Sequence, residues 1–320
     1  MPAWPMTYLR TYGSRADPAT GLTWGFIWLS LTVVVIVTAL VTVGVLARRV
    51  RGGAGALSAL PAERGASGTA WFTIGLTLTI IALIGALGWT LQALAAIDSP
   101  ARQPTLTLDV TGHQWWWEAR YNDADPSQVF ATANEIHIPV GQPVAIRLHG
   151  ADVIHSFWVP ALTGKTETIP GRTNIAWVEA DKAGVYRGQC TEYCGLQHAH
   201  MAVLVFADPP AAFSAWRAAQ AAVATAAPAP SVVAGQGVFA DHCAVCHTVR
   251  GTDAGGIAGP DLTHLMSRTT LAAGALPNTT GALSGWLLDP QGSKPGAKMP
   301  ATNLSGPEVG RLVAYLETLR

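Results

Sequence analysis

Twelve consecutive residues carry the densest chemistry in the sequence: Cys190-Thr-Glu-Tyr-Cys194-Gly-Leu-Gln-His198-Ala-His-Met201. Two thiols four apart, an imidazole four later and a thioether three later converge on one short loop. His155 stands upstream in ADVIHSFWVP. Two Cys and two His alone could make a tetrahedral zinc site. The added Met, in a strand–loop–strand frame, favours copper, which takes soft thiolate and thioether ligands together with imidazole. A second thiolate lets both sulfurs bridge two copper ions. A further cluster, Cys243-Ala-Val-Cys246-His247, has the Cys-x-x-Cys-His spacing that attaches haem c through two thioethers, with the His as iron ligand. For those five residues alone a redox dithiol is the alternative. The four cysteines divide between the two centres, and none is left for a disulfide.

The copper loop needs a rigid frame, and residues 98–208 read as one. The runs TLTLDVTG, NEIHIPV, PVAIRLHG, NIAWVEA, AGVYRG and MAVLVFA are rich in β-branched and aromatic residues and separated by Gly, Pro, Asn and Asp. That pattern predicts an antiparallel β-sandwich or barrel. Ala and Pro dominate residues 209–231, which read as a helical start followed by a semi-rigid linker and domain boundary. Fully extended, its last stretch would reach about 40 Å at roughly 3.1 Å per residue. Residues 232–320 hold the haem motif, then Gly259-Pro-Asp-Leu, Pro-Gly-Ala-Lys-Met299-Pro and a terminal helix PEVGRLVAYLETL. A Met as sixth ligand raises the iron potential. Met299 and Met266, in LTHLMSR, could each supply it; resemblance to the class I cytochromes c, whose Lys-Met-Pro context Met299 shares, implies Met299, and on a helix Met266 reads as a core side chain. His242 and His264 read as surface or hydrogen-bonding groups, as do His113, His137, His149 and His200.

Residues 1–97 read differently. Leu22–Ala47 and Thr69–Ile97 contain no charged residue, and each is long enough to cross a bilayer core of about 20 helical residues. Trp24, Trp28, Trp71 and Trp89 sit towards their ends, as interfacial aromatics do. The loop between them carries Arg48, Arg49, Arg51 and Arg64 against Glu63, which predicts a cytoplasmic loop with both termini outside. The chain as a whole has 20 basic and 20 acidic residues, 12% charged and 49% hydrophobic. This balance argues against a nucleic-acid binder and against a disordered chain. No acid–base or nucleophile set suggests hydrolytic catalysis.

With these motifs the chain resembles subunit II of the haem–copper cytochrome c oxidases, and residues 232–320 resemble a small class I cytochrome c, the combination found in the caa3 type. The resemblance implies a multidomain membrane protein: a two-helix transmembrane hairpin, an all-β cupredoxin-like sandwich and an all-α class I cytochrome c domain. It makes Cys190 and Cys194 the bridging thiolates of a dinuclear CuA centre and His155 and His198 the terminal imidazoles. Met201 becomes the thioether ligand and Glu192 the backbone-carbonyl ligand, with the Glu192 side chain on a magnesium site shared with subunit I. In Gly112-His-Gln-Trp115-Trp-Trp117 the resemblance makes Trp115 the surface residue through which electrons arrive; as residues alone, alternating Trp side chains also fill β cores. Two positions depart from the family pattern. Glu167 stands in Lys165-Thr166-Glu167 where the family usually has Asp. Gly68 replaces a Glu at the mouth of a proton channel, for which Glu63 is the nearby substitute.

The implied function is electron transfer from an external donor (cytochrome c, another periplasmic carrier or a quinol–cytochrome c reductase) through haem c and CuA. The electrons go on to subunit I, where oxygen is reduced to water. Subunit III is a further expected partner, and the bacterial cytoplasmic membrane the location, with the redox domains on the periplasmic face. The same relay could serve a CuA-type nitric oxide reductase, and a copper-binding or redox-sensing membrane module is the alternative of a different class. Residues 98–208 carry 7 basic and 12 acidic groups, a surface suited to a positively charged cytochrome.

Overall fold

A helix whose side chains are apolar all round has no polar face to turn to water, and two such helices lie near the N-terminus. In the computed structural model, which describes residues 3–4, 6–51, 66–224 and 229–320, they are α1 (Asp17–Arg51) and α2 (Ala66–Asp98). Both run past the charge-free stretches, because hydropathy marks the bilayer crossing while backbone bonding continues beyond it. Trp28, Leu40, Trp71 and Ile84 are exposed along them, a surface that suits lipid. The helices meet at Gly25, where the missing Cβ leaves room for the Trp89 ring. Phe26 lies 6.2 Å from the same ring. The loop charges, Glu63 included, lie outside the described side chains.

This hairpin is one compact unit, and residues before Asp17 and after Ser99 form the other. The β domain of that second unit begins with β1 (Ala3–Trp4). Its strands continue through β2 (Leu106–His113), β3 (Trp116–Tyr121), β4 (Phe130–Ala133), β5 (Glu135–Pro139) and β6 (Val144–Gly150). They end with β7 (His155–Phe157), β8 (Thr166–Thr168), β9 (Asn174–Val178), β10 (Gly184–Gln189) and β11 (Ala202–Asp208). One sheet has the order β4-β3-β2-β6-β9 and the other β1-β10-β11-β5, with β7 and β8 paired separately. The antiparallel expectation is corrected here: β2 pairs parallel to β6, β11 to β5 and β1 to β10. Alternation along a strand specifies which face is buried, not the direction of its neighbour.

In β2 the side chains of Leu106, Leu108 and Val110 enter the core while their neighbours are half-buried. Trp117 is fully buried, and Trp116 stacks on His113 with ring centroids 4.3 Å apart. The segment before α1 joins this core. The Tyr12 N–H donates to Ala161 O at 2.7 Å, its carbonyl accepts from Asp181 N–H at 2.8 Å, and its ring lies 6.1 Å from Tyr186.

The first half of the Ala/Pro stretch forms α3 (Pro210–Ala221), whose Trp216 stacks on His137 at 4.0 Å. The C-terminal domain contains α4 (Pro230–His242), α5 (Thr280–Leu288), α6 (Pro290–Ser293) and α7 (Gly306–Leu316). α4 and α7 cross closely because Gly235 has no Cβ to strike the Arg311 carbonyl. Phe239 meets Tyr315 edge-on at 5.5 Å beside this crossing. Ser305 and Glu308 form a capping box that starts α7, worth about 1 kcal/mol.

Candidate metal centre

The twelve-residue loop is held shut at its base. Gln189 and Ala202 are the last register pair of β10 and β11, and the Cys190 N–H donates to Met201 O at 3.0 Å. His155 opens β7, opposite Thr168 of β8, and Thr191 N–H reaches Ser156 O at 3.1 Å to tie that strand to the loop. Gly112 makes room for the imidazole, since a Cβ there would sit 2.9 Å from His155 Cδ2.

The donor atoms gather around two sulfurs. Cys190 Sγ and Cys194 Sγ are 3.7 Å apart, far beyond a disulfide bond of about 2.05 Å. His155 Nδ1 lies 4.0 Å from Cys190 Sγ, and His198 Nδ1 lies 3.5 Å from Cys194 Sγ. Met201 Sδ is 3.9 Å from Cys194 Sγ, and the Glu192 carbonyl is 3.3 Å from Cys190 Sγ. His155, Cys190, Cys194 and Met201 are buried, His198 is half-buried, and the Glu192 side chain is exposed. The loop and β7 together gather every residue of the expected copper set. One imidazole at each of two facing sulfurs suits a sulfur-bridged pair of copper ions.

The surrounding charges favour metal binding. The neighbouring Cys194 thiol, with help from His155, holds Cys190 well below the ordinary thiol range although burial opposes it, while Cys190 and burial push Cys194 up, so one thiolate forms readily and the second needs the metal. Asp152 Oδ1 bonds His155 Nε2 at 2.9 Å, which leaves Nδ1 facing the sulfurs. Burial raises the Asp152 pKa, but hydrogen bonds from His155, the Gln114 and Val153 amides and Lys298 bring it down to about 2.

Trp115 lies beside this loop. Its Nε1–H donates to Cys194 O at 2.9 Å, and Gln114 Nε2 donates to the same carbonyl at 2.8 Å. The expected surface position is not what the structure shows: Trp115 is only 8% exposed. Residues 294–298 of the C-terminal domain cover this region, with Lys294 Nζ bonded to Trp115 O at 2.7 Å. Gln197 Nε2 donates to Pro295 O at 2.6 Å, and Lys298 Nζ lies 3.2 Å from Asp152 Oδ2. His200 bonds Gln197 Oε1 at 2.6 Å, outside the donor set.

The second centre is built at the end of α4. Cys243 is its C-cap, and the Cys246 and His247 amides both donate to Cys243 O at 3.0 Å. His247 Nδ1 donates to Pro260 O at 2.8 Å, so Nε2 is the free ligand atom. Gly259 packs against the ring, since a Cβ there would lie 2.5 Å from His247 Cε1. That cradle fits a proximal iron ligand. Met299 is half-buried against the C-terminal core, as is Met266, whose amide is bonded to Leu319 O. His264 is buried and bonded to the Arg320 and Ala222 carbonyls, while His242 is exposed.

Asp152, Lys294 and Glu135 escaped sequence reasoning. Asp152 had a signal, lying three residues before His155. Lys294 and Glu135 had none, because their partners stand 179 and 134 positions away.

Residues 106–207 match the family model "Cytochrome C oxidase subunit II, periplasmic domain", and residues 232–320 match "Cytochrome c". Cytochrome c oxidase subunit 2 of Alkalihalophilus pseudofirmus is 37% identical over 253 residues, covering 78% of this chain and 72% of that one. The corresponding protein of Bacillus sp. strain PS3 is 31% identical over 265 residues, covering 78% and 73%. Among solved structures, the periplasmic domain of subunit II of the cytochrome oxidase of Bradyrhizobium japonicum is 33% identical. That likeness covers 37% of this chain and 95% of that one, with a TM-score of 0.35.

Two apolar helices, a cupredoxin-like sandwich and a helical cytochrome domain define an electron-transport subunit of an oxidoreductase complex. The chain belongs to the cytochrome c oxidase subunit II family, in the form with a C-terminal cytochrome c domain that characterises caa3-type oxidases. CuA copper and haem c are the cofactors its two matched domains imply, and the residues described above fit both.

Proposed function

We propose that this chain receives electrons from an external periplasmic carrier in its cytochrome domain and delivers them through its copper domain to subunit I, where oxygen is reduced to water. Haem c and the dinuclear copper, when bound, supply one-electron redox chemistry that no side chain here provides. Cys243 and Cys246 would attach the haem, with His247 and Met299 as its axial ligands. Cys190, Cys194, His155, His198, Met201 and the Glu192 carbonyl would hold the copper. The exposed Glu192 side chain is available to a magnesium ion shared with subunit I. Subunit III is a further proposed partner.

One observation carries the reading: the loop bearing Met299 rests on the loop bearing the copper ligands. Lys294 Nζ meets Trp115 O at 2.7 Å, and Trp115 Nε1–H meets Cys194 O at 2.9 Å. These two bonds link the cytochrome domain to a copper ligand through a single aromatic residue. The sandwich around the copper loop limits rearrangement of its ligands when the charge changes.

Orientation rests on the packing of Tyr12 into the copper domain. Residues before α1 and after α2 therefore share one side of a membrane crossed twice. The Arg-rich loop favours the cytoplasm, which puts the redox domains on the periplasmic face.

The test is internal electron transfer in the purified complex. Trp115→Leu should slow haem-to-copper transfer by ~10-fold or more, a barrier increase of about 1.4 kcal/mol, without altering the copper spectrum. An unchanged rate removes Trp115 from the path. Nitric oxide turnover without oxygen consumption would assign the relay to a different terminal reductase.

A further inference from the structure

The sequence describes the cytochrome domain as a tethered body, but the contacts describe a fixed one. We infer that Glu135 and Lys294 form a two-point clasp that holds the cytochrome domain on the copper domain in a single electron-transfer pose, so that transfer within the chain needs no docking step. The inference rests on the relay proposed above.

The first point is Glu135, on β5 of the copper domain and only 3% exposed. Its Oε1 accepts from Thr269 N–H at 2.7 Å, Thr269 Oγ1 at 2.6 Å and Thr270 N–H at 3.1 Å, with Thr270 Oγ1 at 3.5 Å. Bonds to an ionised acceptor are stronger than neutral ones, and donors from two adjacent residues fix orientation as well as distance. The neighbouring Arg268 guanidinium interacts favourably with the same carboxylate.

The second point is Lys294, from the Met299 loop, 4% exposed. Its Nζ donates to Trp115 O at 2.7 Å and, within its own domain, to Ala272 O at 3.1 Å. An ammonium held only by carbonyls gains little over water, so its value is register rather than adhesion. The seated pose is the one in which that ammonium, withdrawn from solvent, has its partners.

The two points lie on different elements of the copper domain, the β2–β3 turn and β5. Among the contacts between the two domains, these two bring a buried charged side chain to its partners, and on different elements they fix orientation as well as distance. Besides them the Ala202 N–H donates to Ala273 O at 3.1 Å, and the Arg250 guanidinium lies 6.0 Å from the Phe130 ring. The end of α3 also joins the cytochrome domain directly. Gln220 Nε2 bonds Ser267 Oγ at 3.0 Å, and Arg250 Nη1 donates to Ala221 O at 3.1 Å. The chain just past α3 adds to this seat, with the Ala224 N–H donating to Arg250 O at 3.3 Å and the Ala222 carbonyl bonded to His264 Nε2 at 3.0 Å.

The experiment inserts a twelve-residue Gly/Ser segment between Ala226 and Ala227 of the full chain, in the intact oxidase complex. Haem-to-copper transfer is then followed at rising glycerol viscosity. The native chain should keep its rate within ~2-fold with or without the insertion, because a clasped domain does not sample the volume its linker allows. The Glu135→Gln, Lys294→Met double variant should slow ~5-fold or more on insertion and become viscosity-dependent. Unchanged haem and copper spectra would show that both of its domains remain folded. Equal slowing of the native chain, or a double variant insensitive to insertion, overturns the clasp.

Hydrogen exchange supplies a readout independent of electron transfer. The Thr269 and Thr270 amides should be protected in the native chain, with or without the insertion, and should lose at least ~10-fold protection in Glu135→Gln. Protection without any copper reduction would sink the relay and leave the clasp standing. Transfer without protection would do the reverse.

Discussion

Asp152 grips His155 from behind: its Oδ1 lies 2.9 Å from the imidazole Nε2, on the side away from the copper sulfurs. The same carboxylate accepts from Gln114 N–H at 2.8 Å and from Lys298 at 3.2 Å. Asp152→Asn preserves the shape and removes the charge that fixes the imidazole tautomer. Copper affinity, measured by chelator competition, should fall about 10–100-fold with a change in the copper spectrum. An unaltered affinity and spectrum would show that the ring is held by packing alone.

Gly259 sets how closely the chain can approach the proximal histidine. A Cβ at this position would stand 2.5 Å from His247 Cε1, so Gly259→Ala must push the ring or its loop aside. Overpacking of this kind costs about 1–3 kcal/mol. The variant should melt at lower temperature and show a perturbed visible haem spectrum. A normal spectrum and melting temperature would mean the loop yields without moving His247.

Asp109 gives the copper domain an acid-sensitive component away from both metal centres. Burial raises its pKa, but bonds from Arg147, Asn122 and His149 outweigh this and lower it from 3.8 to about 2. Arg147 grips both carboxylate oxygens at 2.7 Å. The folded value lies below the unfolded one. The stabilisation is therefore complete above pH ~4–5 and is lost as pH falls through about 2, and half-exposed Arg147 limits it to roughly 1 kcal/mol. Denaturant unfolding of the native chain and Asp109→Asn should differ at pH 6 and converge near pH 2. A gap that persists at pH 2 would assign the effect to shape.

The copper loop and the haem motif were legible because their ligands are close in sequence and chemically unusual. Cys190, Cys194, His198 and Met201 fall in one loop whose ends the β10–β11 ladder brings together. His155 was legible through the family pattern. The alternating runs identified strands but could not show that β2 lies parallel to β6, because burial on one face is the same for either direction. Trp115 was expected at the surface, and its burial depends on a loop 179 residues later. Glu135 looked like an ordinary strand residue, and only the approach of Thr269 and Thr270 gives its carboxylate a task.

The seating of Tyr12 has a consequence for synthesis. Its backbone partners are Ala161 and Asp181, and its ring partner is Tyr186, all made after both membrane helices. At 5–20 residues per second, roughly 10–35 s separate the emergence of Tyr12 from that of Tyr186. The tail must wait while its partners are still untranslated. The copper domain is thus a late closure, completed when residues made before the hairpin meet strands finished only after it.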